Sequence, residues 1–180
     1  ATKISFINEI ANVCDEVGAN VDEVARGMGM DPRIGPAFLK AGIGFGGACF
    51  PKDTKALHSI AFNYDYDFKL LKAVIEVNQA QRRQFIRKVC RALGGDVAGK
   101  KVGILGLAFK NNTDDVRESA AVDIASWLIG AGADVRAYDP HAQGNAKVVI
   151  PELVTCPSPQ EVARGADAVL LLTEWAEFKD

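Results

Sequence analysis

The sequence contains no apolar run of about eighteen residues, the length that a helix needs to cross a bilayer. Its two histidines stand apart, and its four cysteines (Cys14, Cys49, Cys90 and Cys156) form no C-x-x-C pair. This spacing excludes an evident zinc site or thioredoxin-like redox motif. The formal net charge of −2 argues against a surface that binds nucleic acid or membranes. Because no secretion signal is evident, we expect reduced thiols and a cytoplasmic location.

The chain begins inside a helical pattern. Ile4, Ile7, Ile10 or Ala11, Cys14 and Val17 recur at a spacing of three or four residues, and no capping residue precedes them. We therefore expect this sequence to be a fragment of a longer protein.

The first half of the sequence predicts helices. Apolar spacing, capping residues and glycines delimit four of them, at residues 1–17, 21–29, 51–63 and 70–93. The last is unusually long for a small domain, which suits the spine of a bundle or a dimer seam. Cys14, Cys90 and Cys156 have apolar neighbours, so we expect them to be core residues.

The second half alternates strands and helices. The strand segments KKVGILGLAF, DVRAYDP and DAVLLLTEW are separated by the helical segments ESAAVDIASWLIGAGA and SPQEVARGA. Ser158 and Glu161 match the spacing of a capping box at the start of the last helix. This alternation predicts a parallel sheet with right-handed crossovers, a doubly wound, Rossmann-like α/β domain.

The first turn of that domain does not carry the dinucleotide fingerprint. The segment GILGLAFKNNTDDVRES lacks G-x-G-x-x-G, but it contains Lys110, Asp114, Asp115 and Arg117. Ligands of such sheets bind beyond the carboxyl ends of the strands, where this turn lies. The residues alone fit a ligand site and a merely solvated loop about equally.

The segment GIGFGGACFPKD, residues 42–53, places four glycines before a cysteine, a proline, a lysine and an aspartate. Glycines let a main chain approach a ligand closely. The helix that begins at Pro51 directs free N–H groups and a positive dipole end towards Cys49, which favours a thiolate or a phosphate. Lys52 adds positive charge. The pattern is typical of a reactive cysteine beside a phosphate-tolerant backbone.

The same segment also fits a structural explanation, in which the cysteine is buried in a tight turn and Lys52 and Asp53 are solvated. Neither His58 nor His141 has neighbours that suggest a general base, so a papain-like Cys–His pair is not predicted. The residues alone give both explanations similar weight.

Four segments together resemble the UDP-glucose 6-dehydrogenase family: GIGFGGACFPKD, the preceding MDPRIGPAFLKAG, and the later LGLAFKNNTDDVRES and AYDP. The resemblance covers essentially the whole chain. It implies an α-helical dimerisation domain over residues 1–94 and most of a C-terminal Rossmann-like UDP-sugar domain over residues 95–180. It also implies a homodimer formed through the helical domain and a missing N-terminal NAD domain.

The resemblance implies the NAD-dependent oxidation of UDP-glucose to UDP-glucuronate, with two NAD and one water consumed. In this chemistry an aldehyde formed at C6 is captured by a thiolate, oxidised to a thioester and hydrolysed. Cys49 matches the nucleophile, and Asp53 resembles the residue that positions or activates the water. Lys52 and Arg117 match contacts to NAD, and no metal is implied.

The resemblance also implies a set of substrate contacts, made partly by the main chain of the loop from Lys40 to Gly46. The matching positions are Arg33, Phe38, Leu39, Lys40, Gly42, Gly44, Phe45, Gly46, Phe109 and Lys110. Arg33 resembles an arginine that reaches a substrate site across the dimer interface.

Two alternatives remain open from the sequence. One is a related dehydrogenase that acts on GDP-mannose or UDP-N-acetylmannosamine. The other is a non-catalytic module for dimerisation and nucleotide-sugar binding. Because the NAD domain and an active-site lysine and asparagine of the family are absent, we expect this fragment alone to be inactive.

Overall fold

The computed structural model describes residues 1–178, and the chain divides into two compact units. The first unit comprises residues 1–45 and 49–81, and the second comprises residues 46–48 and 82–180. Three residues of the glycine-rich segment therefore belong with the second unit.

The four predicted helices are confirmed, each to within one residue at either end. They are α1 (Thr2–Val17), α2 (Val21–Gly29), α3 (Phe50–Asn63) and α4 (Lys69–Ala92). The division between the units falls within α4, after Gln81.

Local chemistry explains where these helices begin and end. Gly18 ends α1 in the left-handed conformation, with a φ of 71°. The Asn20 side chain then caps α2 by accepting a hydrogen bond of 2.9 Å from the Asp22 N–H. Pro51 lies in the first turn of α3, where its missing N–H removes no helical hydrogen bond.

The buried face of α4 matches the apolar pattern of its sequence only in part. Leu71, Val74 and Val89 fit the pattern and are buried, whereas Leu70 fits it and is 61% exposed. Phe85 also fits it but is only half-buried, and the neighbouring Ile86 is buried instead. Asn78 and Gln81 continue this face and are also buried. Polar side chains thus occupy the middle of a mostly apolar stripe.

The second unit contains a four-stranded, fully parallel sheet in the order β3-β2-β1-β4. Its strands are β1 (Lys101–Leu105), β2 (Asp134–Tyr138), β3 (Val154–Thr155) and β4 (Ala168–Leu171). Its helices are α5 (Ala120–Gly130), α6 (Gln143–Val149) and α7 (Pro159–Ala163), and a 3-10 helix spans Ala176–Phe178. The predicted Rossmann-like α/β fold is confirmed for this unit.

The core of this unit lies around β1 and α5. Ile104 on β1 pairs in register with Ala137 on β2 and Leu170 on β4 and has no exposed surface. Ile124 and Leu128 on α5 are also fully buried. This packing holds the loops that follow the strands at the carboxyl edge of the sheet.

The serine half of the predicted capping box is present, since Ser158 Oγ accepts a hydrogen bond of 3.3 Å from the Glu161 N–H. Cys14 and Cys156 are buried, as predicted. Cys90 is only half-buried because it lies beside the buried stripe of α4 and not within it.

Among residues 1–178, no helix is long and apolar enough to cross a membrane. Within the same residues, no cluster of histidine, cysteine, aspartate and glutamate side chains is arranged to hold a metal ion.

Candidate functional site

Cys49 lies at the N-terminus of α3, in the position that caps the helix. Its carbonyl oxygen accepts a hydrogen bond of 2.8 Å from the Asp53 N–H, which starts the helical pattern. Its side chain is exposed. The residue is thus accessible and begins a 14-residue helix, but its side chain makes no capping hydrogen bond to the first N–H groups of that helix.

Lys52 and Asp53 occupy the first turn of the same helix and form an ion pair, with 2.7 Å between Lys52 Nζ and Asp53 Oδ1. This hydrogen bond and the attraction of the Asp53 carboxylate raise the pKa of Lys52. Both side chains are more than 60% exposed, so water screens the pair and it adds little to stability. A thiol (Cys49), an ammonium group (Lys52) and a carboxylate (Asp53) therefore lie in one exposed helical turn.

The loop before Cys49 is held by a buried asparagine of α4. Asn78 Oδ1 accepts a hydrogen bond of 2.8 Å from the Phe45 N–H, and Asn78 Nδ2 donates one of 2.9 Å to the Phe45 carbonyl. The carboxamide thus pairs with Phe45 as a neighbouring strand would. Gly44 has a φ of 102°, and a Cβ there would lie 2.8 Å from Asn78 Oδ1. Only glycine fits between these constraints.

Gly42 is held in a similar way. Its N–H donates to Asn8 Oδ1 at 2.8 Å, and its carbonyl accepts from Gln81 Nε2 at 2.8 Å. Side chains of α1 and α4 therefore fix both backbone polar groups of this residue. The loop owes its conformation to buried amides as well as to its glycines.

The aromatic side chains around the loop pack on one another. The Phe50 ring lies 5.7 Å from the Phe45 ring and 6.3 Å from the Phe38 ring, measured between centroids. Phe38 is 60% exposed and has a φ of 65°, a left-handed conformation that is unusual for a bulky residue. Leu39 and Phe45 are buried and Lys40 is exposed. The side chains of Leu39 and Phe45 are thus not accessible to a ligand, and the N–H and carbonyl of Phe45 are already paired with Asn78.

Arg33 lies on the surface of the first unit, in the segment after α2. Its guanidinium forms a fork with the Asp31 carboxylate, the shortest contact being 2.6 Å from Nη2 to Oδ2. The hydrogen bonds from Arg33 lower the pKa of Asp31, and Asp31 raises that of Arg33. The arginine side chain is 87% exposed, so its charge faces solvent.

The second unit contains the other predicted site residues, in the loop between β1 and α5. Phe109 donates its N–H to the Asp115 carbonyl at 3.0 Å, and Lys110 Nζ lies 5.4 Å from the centre of the Phe109 ring. Arg117 forms a fork with Asp115 that repeats the geometry of Arg33 and Asp31, with 2.7 Å between Nη2 and Oδ2. Arg117 lowers the pKa of the Asp115 carboxyl.

Gly46 packs against this loop. A Cβ on Gly46 would lie 2.2 Å from the Glu118 carbonyl oxygen, so no larger residue fits. The N–H of Gly47 donates to the Arg117 carbonyl at 2.9 Å. Close packing against the Glu118 carbonyl is therefore sufficient to explain why residue 46 is a glycine.

Asp139, directly after β2, is fully buried and accepts five hydrogen bonds. The donors are the N–H groups of Leu107, Ala108, His141 and Ala142 and the Trp175 Nε1–H, at 2.7–3.0 Å. Burial alone would raise its pKa, but the four backbone donors outweigh burial and lower it. In dinucleotide-binding Rossmann domains, an acidic residue in this region binds the ribose. Here the carboxylate instead holds the loop that leads to Phe109.

The structure thus groups the predicted residues within each unit. Cys49, Lys52 and Asp53 share the first turn of α3, whereas Phe109, Lys110 and Arg117 share the β1–α5 loop. Sequence reasoning did not identify the groups that hold these loops, which are Asn8, Asn78, Gln81 and Asp139. The available signal was two amides inside the apolar stripe of α4.

Two family models match the chain. The central domain of the UDP-glucose/GDP-mannose dehydrogenase family matches residues 1–80, and the UDP binding domain of the same family matches residues 103–180. The chain belongs to this family. Its central-domain match includes Cys49, and its UDP-binding match includes Asp139.

Curated members of the UDP-glucose/GDP-mannose dehydrogenase family align with almost the whole chain. UDP-glucose 6-dehydrogenase YwqF of Bacillus subtilis (strain 168) is 54% identical over 180 residues, which cover 99% of this chain and 41% of the relative. UDP-glucose 6-dehydrogenase of Rhizobium meliloti (strain 1021) is 50% identical over 179 residues, with coverages of 99% and 41%. The chain therefore spans about two fifths of the length of these relatives.

Solved structures of the family give the same result. A UDP-glucose dehydrogenase from the hyperthermophilic archaeon Pyrobaculum islandicum matches with a TM-score of 0.96 and 37% identity, over 99% of this chain and 41% of that one. A GDP-mannose dehydrogenase from Pseudomonas aeruginosa matches with a TM-score of 0.72 and 29% identity, over 97% and 42%.

Proposed function

We propose that this chain supplies the central and UDP-binding domains of an NAD-dependent UDP-glucose 6-dehydrogenase, with Cys49 as its nucleophile. The observation that carries the proposal is the exposed Cys49 thiol at the N-terminus of α3, directly after a loop that buried amides hold in place. Helix N-terminal N–H groups favour a thiolate and an oxyanion. Membership of the UDP-glucose/GDP-mannose dehydrogenase family supports oxidation of a nucleotide sugar as the chemistry in which this thiol takes part.

Conversion of the C6 alcohol of UDP-glucose into a carboxylate removes four electrons and requires one water. When bound, NAD would supply the hydride acceptor for each of the two oxidations, and one proton would be released to solvent each time. Between them, the Cys49 thiolate adds to the C6 aldehyde and forms a carbon–sulfur bond, giving a thiohemiacetal. The second oxidation turns this adduct into a thioester. Water then adds at C6, the carbon–sulfur bond breaks, and the acid and the free thiol are released.

The remaining polar residues have supporting roles in this proposal. Asp53, one turn along α3 from Cys49, positions or activates the water that cleaves the thioester. Lys52 pairs with Asp53 and contributes positive charge beside the nicotinamide. The main chain of the loop from Lys40 to Gly46, together with the side chains of Phe109 and Lys110, contacts the nucleotide sugar.

NAD itself is expected to bind mainly outside this chain. The β1–α5 loop lacks the glycine fingerprint, and the oxygens of Asp139 are already occupied by protein donors. Arg117, held by Asp115, then contributes one contact to the cofactor. We further propose a helical dimerisation domain over residues 1–94, a UDP-sugar domain over 95–180, a homodimer in which Arg33 reaches the partner's site, and a cytoplasmic location.

UDP-glucose is the favoured substrate among the nucleotide sugars of the family. The relatives at 50–54% identity are named UDP-glucose 6-dehydrogenases. The matched structures of a UDP-N-acetylmannosamine and a GDP-mannose dehydrogenase are only 28% and 29% identical. Higher identity supports the same sugar and base.

Replacement of Cys49 by serine in the full-length dehydrogenase that contains this chain tests the proposal. UDP-glucuronate formation should fall by roughly a thousandfold or more, because the variant loses its nucleophile. UDP-glucose binding, measured by calorimetry, should change little. Product would be quantified by chromatography, with GDP-mannose offered in parallel.

Cys90→Ser is the matched control, since it makes the same atomic change at a half-buried cysteine on α4 and should retain activity. If Cys49→Ser forms UDP-glucuronate at the wild-type rate, Cys49 is not the nucleophile. If the wild type prefers GDP-mannose, the substrate assignment is wrong.

A further inference from the structure

Gly42 is one member of an incomplete ring of hydrogen bonds. From its N–H, a bond of 2.8 Å leads to Asn8 Oδ1 on α1. From its carbonyl, a bond of 2.8 Å leads to Gln81 Nε2 on α4, and Gln81 Oε1 accepts a bond of 2.9 Å from Asn12 Nδ2. This series of hydrogen bonds thus begins on α1 at Asn8 and ends on α1 at Asn12.

The backbone of Gly42 determines the orientation of each side-chain amide in this series of hydrogen bonds. A backbone N–H can only donate, so Asn8 must present its oxygen to Gly42. A backbone carbonyl can only accept, so Gln81 must present its nitrogen and turn its oxygen towards Asn12. Asn12 must therefore present its nitrogen to Gln81. A donor, Nδ2, is left over on Asn8, and an acceptor, Oδ1, is left over on Asn12.

Both leftover atoms are buried, and neither has a hydrogen-bond partner among the described residues. Asn8 has no exposed surface at all. A buried polar group without a partner destabilises a protein considerably, so native structures rarely retain one. Asn8 and Asn12 are four residues apart on α1 and hence adjacent on one face of the helix. The two atoms without a partner, Asn8 Nδ2 and Asn12 Oδ1, therefore belong to neighbouring side chains, and one is a donor while the other is an acceptor.

We propose that a single buried water molecule links Asn8 Nδ2 to Asn12 Oδ1 and closes the ring. The water accepts a hydrogen bond from Asn8 and donates one to Asn12. Two polar partners meet the lower limit for a structural water in a protein interior. The closed ring passes through Gly42, Asn8, the water, Asn12 and Gln81.

The ring makes Asn12 a positioning residue for the glycine-rich loop. Within the ring, Asn12 forms no hydrogen bond to the loop. It acts on the loop indirectly, because it orients Gln81 and, through the water, Asn8. This functional consequence rests on the proposed function, in which the main chain of residues 40–46 holds the nucleotide sugar. The water itself does not depend on that function.

A crystal structure of the protein at a resolution that shows ordered waters tests the first part. We expect a water within about 2.7–3.2 Å of both Asn8 Nδ2 and Asn12 Oδ1. Absence of such a water, direct contact between the two amides, or another protein group in its place would overturn the ring.

Asn12→Leu in the full-length dehydrogenase tests the second part. The KM for UDP-glucose should rise roughly three- to tenfold, the factor expected for loss of one hydrogen bond, while kcat stays within about twofold. The exposed Glu9, on the same helix, provides the control variant Glu9→Gln, which should leave both constants unchanged. An unchanged KM, or a fall in kcat alone, would contradict the positioning role.

The two parts fail independently. If the wild-type protein does not oxidise UDP-glucose, the proposed function is wrong, whereas the crystal structure still decides the ring. If Asn12→Leu does not fold, the wild-type crystal structure remains a complete test of the water.

Discussion

Gly44 is a residue at which the loop tolerates little change. Its φ of 102° strains any side chain, and a Cβ would lie 2.8 Å from Asn78 Oδ1. Asn78 cannot withdraw without breaking both of its hydrogen bonds to Phe45. We expect Gly44→Ala to reduce the free energy of unfolding by about 1–3 kcal/mol, measured by urea denaturation.

Gly42→Ala is the natural comparison for this prediction. Gly42 lies two residues earlier in the same loop, has no positive φ, and a Cβ there would meet no atom within 4 Å. This variant should therefore lose well under about 1 kcal/mol. Equal destabilisation by the two substitutions would contradict the explanation.

Asp139 is the second residue whose replacement should be costly. An Asp139→Asn side chain would turn an NH₂ group towards N–H donors that now face a carboxylate oxygen. Because the site is fully buried, we expect a loss of about 3–5 kcal/mol in the free energy of unfolding. Asp134→Asn, at the exposed start of the same strand, should lose much less.

The same carboxylate should make stability depend on pH. Its pKa is lowered in the folded protein, so its contribution is fully present above the ordinary aspartate pKa of about 3.9 and is lost as the pH falls below that value. The variant lacks this group, so its stability should fall less steeply in the same acidic range. Unfolding curves at several pH values below about 5 would show the difference, and parallel profiles would count against it.

At the scale of whole elements, the sequence predicts the helices and central strands well. Periodicity, Asn20 and Gly18 delimit the helices because these signals are local. The sequence reading omits α6 and β3, both of which are short. Val148 and Val149 in α6 are exposed, so the helix has no clear apolar face, and β3 is an edge strand of two residues. Tertiary pairing, not local pattern, forms such elements.

The candidate site is predictable from the sequence only in part. The Gly-rich segment, Cys49 and the charges after it are contiguous, so one stretch of chain reveals them. Asn78 and Gln81 act on residues 33 and 39 positions away. Asp139 acts on a loop 31 and 32 positions away. No local sequence pattern predicts these hydrogen bonds, because they form only when distant helices and strands pack together.

At the scale of the molecule, we expect this chain by itself not to oxidise UDP-glucose. It spans about two fifths of its curated relatives, and its Rossmann-like unit uses Asp139 internally. We therefore expect the 180-residue chain, mixed with UDP-glucose and NAD, to produce no NADH detectable at 340 nm. The proposed full-length dehydrogenase, assayed alongside, should produce it, and NADH from the chain alone would contradict the assignment of NAD binding to another region.

The grouping of residues 46–48 with the second unit affects how members of the family can be recombined. A chimera that takes only the portion from residue 82 onwards would combine one parent's Glu118 carbonyl and Phe109 ring with the other parent's tripeptide. Parents that differ at Gly46 or Gly47 should then yield clashing hybrids. Exchange of residues 46–48 together with the portion from residue 82 onwards keeps residues that pack on one another from the same parent. Residues 49–81 separate these two segments in the sequence.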